Sequence, residues 1–163
     1  MDNLAKQILK DVALEEIAPK PAQRSPLNPV DHWAPAILLE RAAYLKKMAK
    51  YGDGSANETL REYPQHIAML SFRSRDSDAE MYQNVAVLFC VLAGAATLVT
   101  GGTLNHARMV EPGVTRGNSI ENGKHQELKA GDVFHVPAGI PHQTLVAGDK
   151  TITCFTMKIQ EVG

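Results

Sequence analysis

Between residues 131 and 142 the chain reads Gly131-Asp132-Val133-Phe134-His135-Val136-Pro137-Ala138-Gly139-Ile140-Pro141-His142, a stretch that leaves the backbone few choices. Gly131 and Asp132 open a short β-rich run, as a tight turn into a strand does. Pro137 and Gly139 force a second turn, and His142 emerges from it at the head of another strand-like segment, Gln143 to Val146. The reading is strand, turn, strand, with a histidine at a fixed place after the turn.

The same period-two pattern governs the chain from Thr59 onward. His66 to Arg73, Val85 to Leu92, Ala96 to Thr100 and Thr103 to Val110 read as strands. Gln126 to Lys129, Asp132 to Val136, Gln143 to Val146 and Thr151 to Ile159 follow, with glycines between them. Many short strands with close turn signals predict a sandwich or barrel. Glu111 to Lys124 has little periodicity and reads as a long loop.

Upstream the period is helical. Leu4, Ile8 and Val12 share a row, and Ala5, Leu9, Ala13 and Ile17 share the next, so residues 3–17 read as an amphipathic helix. Prolines from Pro19 to Pro29 make an extended linker after it. A second helix begins near Asp31 to Ala34, with Pro35 early in it, and runs to about Lys50. Leu38, Ala42, Leu45 and Ala49 form its buried side, and its lysines and arginine a solvated face. The expected organisation is an arm over residues 1–30 and a domain over residues 31–163, its barrel starting near residue 59. The apolar stripe of the first helix needs a partner, either its own barrel or a second subunit; a homodimer is the expected assembly.

Composition narrows the partners. With 163 residues, 17 Lys and Arg against 18 Asp and Glu, and no basic block, the chain has length for one core and nothing that suits nucleic acid. No run is apolar enough to span a membrane, and the opening Met1-Asp2-Asn3 lacks a signal-peptide core. Cys90 and Cys154 lie in apolar runs and read as buried thiols, so a cytoplasmic location is expected.

The spacing from Gly131 through Pro137 and Gly139 to His142 resembles the second signature of the cupin superfamily. That resemblance implies a mainly β fold, a double-stranded β-helix or jelly-roll barrel, here preceded by two helices, with His142 pointing inward. The end of the first cupin signature is visible around Gly94 and Gly101-Gly102. Counting back from Gly94 places the family's glutamate at Val87 and its two histidines at Tyr82 and Glu80, so the three standard metal ligands are absent. The likeness extends from about Trp33 to Ile159. Tyr63-Pro64-Gln65-His66 and Arg116-Gly117-Asn118-Ser119-Ile120 are similar to elements of small bacterial single-domain cupins.

The resemblance implies that Glu80 and Tyr82 face the barrel interior beside His142. These three are the candidate catalytic residues, and His135, His66 and Arg73 the candidate substrate-binding residues. His66 and Arg73 have opposite parity, so both cannot face inward. An interior of Met81 or Met69, Phe89, Leu70 and Val133 would be largely apolar, raising the pKa of Glu80 and lowering that of a histidine. The expected function is a small-molecule enzyme without a cofactor, performing acid–base isomerisation, cyclisation or related chemistry on a partly apolar organic substrate. His142 or Glu80 takes a proton and Tyr82 gives one. Two alternatives use the same barrel: a metal-dependent oxygenase holding a divalent ion on His142 with Glu80, and a non-catalytic ligand-binding or sensory module. His32, His106 and His125 lie in or near loops, and the cysteines read as core packing.

Overall fold

Sixteen residues from Val85 to Thr100 form one strand, and the barrel is built on both of its halves. The computed structural model describes residues 30–161. The helix expected over residues 3–17 and most of the proline-rich arm lie outside the described residues. The elements are α1 (Pro35–Tyr51), β1 (Ser55–Tyr63), β2 (His66–Arg73), β3 (Ala79–Tyr82), β4 (Val85–Thr100), β5 (Thr103–Asn105) and β6 (Arg108–Glu111). Then come β7 (Val114–Gly117), β8 (Ser119–Glu121), β9 (Lys124–Lys129), β10 (Val133–Val136), β11 (His142–Leu145) and β12 (Ile152–Gln160).

The first half of β4 lies between β12 and β10, and β12 continues through β2 to β1. Its second half lies between β9 and β11, and β11 continues through β3 and β7 to β6. All these pairings are antiparallel, so one strand belongs to two sheets that face each other. The change of sheet occurs at Gly94, which adopts φ +82° and pairs with Ile152 next to a register shift. A Cβ there would stand 1.9 Å from the Thr151 carbonyl oxygen, so only glycine fits. The glycine that reads as a break between two strands is thus a bend within one.

The expected loop from Glu111 to Lys124 contains two short strands instead. β7 pairs with β3, and β8 pairs with β5 in a separate ribbon. Neither shows alternation because each spans only three or four residues. The single strand expected over Thr103 to Val110 is interrupted at His106, where φ is 53°.

Helix α1 covers the outer face of β1 and β2. Pro35 opens it and Gly52 closes it. Leu38, Ala42, Leu45 and Ala49 pack on Leu70 and Phe72, with Trp33, Leu60 and Phe155 at the margin. Burying each leucine contributes about 1.5–3 kcal/mol. The lysines of α1 are exposed as expected, but Arg41 is not: it is buried and paired with Glu58 on β1.

Candidate active site

Between the two sheets lies a cavity of about 190 Å³. One wall comes from β2, β12 and the first half of β4. Alternation turns Met69, Ser71 and Arg73 inward on β2, Val87 and Phe89 on β4, and Cys154, Thr156 and Lys158 on β12. The other wall carries Glu80 and Tyr82 from β3, Arg116 from β7, and His142 and Thr144 from β11.

The turn ahead of β11 delivers His142. Gly139, at φ +78°, donates its N–H to the Tyr82 carbonyl at 2.7 Å, and Gly101 N–H donates to the Pro141 carbonyl at 2.9 Å. His142 then sits opposite Glu80 in the ladder, so both side chains leave the sheet on one face. The Ile140 carbonyl lies 3.3 Å from His142 Nδ1 and can only accept, so Nδ1 carries a proton. That leaves Nε2, 3.7 Å from Glu80 Oε1, as the nitrogen that exchanges a proton: bare in the neutral ring, and donating toward the carboxylate in the imidazolium. The Tyr82 and His142 ring centroids are 5.9 Å apart.

Lys158 was not foreseen in sequence. It lies directly across the ladder from Val87, donates from Nζ to the Tyr82 hydroxyl at 2.7 Å, and stands 4.6 Å from the centre of that ring. A period-two count along β12 from Cys154 reaches Lys158, but a lysine near a chain end ordinarily reads as solvated. In sequence Arg116 stands out only as part of the Arg116-Gly117-Asn118-Ser119-Ile120 segment. Its Nε is 3.7 Å from Glu80 Oε2 and, among the described residues, has no hydrogen-bond partner although it is buried.

These charges reverse the expectation for Glu80. Burial alone raises its pKa, but the hydrogen bond and charge of His142, followed by Lys158 and Tyr82, outweigh it and hold the carboxyl below its ordinary value of 4.5. Glu80 is an anion at neutral pH. Tyr82 moves the other way: burial first, and then the Glu80 charge, push its phenol well above 10.0 and keep it protonated. Burial likewise pushes the Cys154 thiol up to about 12, leaving it inert.

Two of the expected binding residues lie elsewhere. His66 has the parity of Leu70 and Phe72, and it stacks on Tyr63 with centroids 4.5 Å apart at the closed end of the β1–β2 hairpin. His135 is exposed, because Phe134 and Val136 take the inward positions of β10. Val133 shares the outward parity of His135 and is 61% exposed, and Leu70 packs under α1 rather than in the cavity. Met69, not Met81, lines the cavity. Arg73 does line it.

Two facing antiparallel sheets sharing one strand, closed around an inward histidine that follows the Pro137-Ala138-Gly139-Ile140-Pro141 turn, decide the architecture. The chain has the cupin fold. No protein-family profile and no curated protein matches the sequence. Among solved structures, a Thermus thermophilus protein matches with a TM-score of 0.51 at 13% identity, over 72% of this chain and 95% of its own. A Klebsiella pneumoniae protein with a double-stranded β-helix domain matches with a TM-score of 0.49 at 14% identity, over 65% of this chain and 76% of its own. The polyketide cyclase RemF of Streptomyces resistomycificus matches with a TM-score of 0.47 at 14% identity, over 68% and 72%.

Cupins commonly hold a metal, and the donors in this barrel can be tested for one. His142 Nε2 and Glu80 are two donors, and Val87 has none. Tyr82 is a protonated phenol already accepting a hydrogen bond from an ammonium. Among the described residues no three histidine, cysteine or acidic side chains converge. This set does not suit a tightly held catalytic ion, which takes three or more protein donors. Lys158 puts a positive charge where a bound cation would be repelled.

Proposed function

We propose that this cupin is a small-molecule enzyme that moves protons without a metal, catalysing isomerisation, cyclisation or a related reaction on a partly apolar organic substrate. One observation carries the reading: His142 has Nδ1 fixed on a backbone carbonyl and Nε2 turned to an ionised carboxylate inside the barrel. A base needs that arrangement, because Glu80 stabilises the imidazolium formed when Nε2 takes a proton. Tyr82 gives a hydrogen bond, and then a proton, to the oxygen on which charge develops. Lys158 stabilises the phenolate left behind.

Incubating the protein in D₂O with a panel of carbonyl compounds, followed by proton NMR, tests this directly. Exchange of the C–H beside a carbonyl should appear for some panel members, persist after chelation and vanish in His142→Gln. Exchange that survives His142→Gln, or that chelation abolishes and added metal restores, would overturn the reading.

A further inference from the structure

We propose that the substrate is a small organic acid whose carboxylate is held by the Arg73 guanidinium. This rests on the cavity being the active site and adds the class of molecule it takes.

Arg73 ends β2, pairs in register with Ser55 on one side and Ile152 on the other, and lines the cavity between them. Arg41, Arg61, Arg75 and Arg116 each have a carboxylate within ion-pair reach. Half-buried Arg73 has none among the described residues, and no described side chain or carbonyl accepts a hydrogen bond from it.

Acids are not scarce nearby. Asp53, Asp76, Asp78 and Glu80 line a polar recess that shares Arg73, Ser77, Glu80 and Arg116 with the cavity. Three of them are already committed. Asp53 accepts from the Ser55 N–H and hydroxyl and from Arg75, Asp76 accepts the Val146 N–H at 2.7 Å, and Glu80 faces Arg116 and His142. The planar fork of this guanidinium, without a protein acceptor among the described residues, matches a carboxylate.

The cavity as a whole favours an anion. Its cationic side chains are Arg73, Arg116 and Lys158, against the single carboxylate of Glu80. One open fork, with Glu80 in the same space, suits a monoanion better than a phosphate dianion. A cavity of about 190 Å³ has room for a small organic acid. Met69, Phe89 and Ile152 take its apolar body.

The test is calorimetric titration with monocarboxylates from acetate to benzoate, the matching neutral amides, and inorganic phosphate. At least one carboxylate should bind saturably, at least tenfold more tightly than its amide, and phosphate should not displace it. Arg73→Gln should weaken that carboxylate about 10- to 100-fold, the loss expected for a charge-assisted pair. Lys46→Gln, on the exposed face of α1 and away from the cavity, should leave affinity unchanged. Equal binding of acid and amide, displacement by phosphate, no saturable carboxylate, or wild-type affinity in a folded Arg73→Gln would each overturn the proposal. If that variant does not fold, the acid-to-amide ratio in the wild-type protein decides alone. Such a failure would leave the proton-transfer reading intact, because that reading stands or falls on His142 and exchange in D₂O.

Discussion

A single imidazole edge separates a catalytic His142 from a structural one. With Nδ1 fixed on Ile140, only Nε2 can take a proton, so His142→Gln should cost about 10²- to 10⁴-fold in turnover. Tyr82→Phe keeps the ring but leaves Lys158 without an acceptor, and a comparable loss in kcat is expected. If Tyr82 only fills space, that variant will turn over at nearly the wild-type rate. Glu80 also has a signature in stability. Folding lowers its pKa, so the unfolded chain binds more protons below about pH 4.5. The stabilisation is complete above that pH and is lost as pH falls through the lower folded value. Urea titrations across the acid range should show a shallower decline for Glu80→Gln. The motif spacing made His142 legible, and a count from Gly94 reached Glu80 and Tyr82. Lys158 was not legible, because its role depends on facing Val87 across a ladder whose register no local pattern reports. His135 and His66 misled for a related reason: alternation says that two faces exist, but not which of them meets the cavity.

Among the elements, α1, β2 and β12 were legible, but the nine-residue β1 was not, and strands that are short or bent were read poorly. β7 and β8 are too brief for a period, and Gly94 looks identical in sequence whether it ends a strand or folds one. The two cases separate under mutation. Gly94→Ala must place a methyl against the Thr151 carbonyl, so a loss of about 3 kcal/mol is expected by urea denaturation. A glycine in an open turn would tolerate alanine far better. The buried pair joining α1 to β1 offers a second measurement. Arg41→Ala strands Glu58 and should cost about 3 kcal/mol, whereas Arg41→Met combined with Glu58→Leu should come close to wild-type stability.

For the whole molecule, the fold was legible because one spaced motif and a run of strands agree, whereas its chemistry depends on groups brought together from five strands. Metal affinity measures how far this barrel has moved from a ligand set. Tyr82→His with Val87→Glu adds two donors beside His142, but Lys158 stands opposite position 87 and would pair with the new carboxylate. Adding Lys158→Met should therefore raise divalent-metal affinity by calorimetry well beyond the double variant, and equal affinities would show that the lysine does not oppose a cation. The sharing of β4 has a last consequence. Prising the walls apart would break hydrogen bonds on both edges of one strand, so the barrel works as a gauge of fixed bore. It should discriminate carboxylate ligands by width more than by length, and the observed binding rate should rise linearly with concentration, without the plateau that a slow opening step imposes.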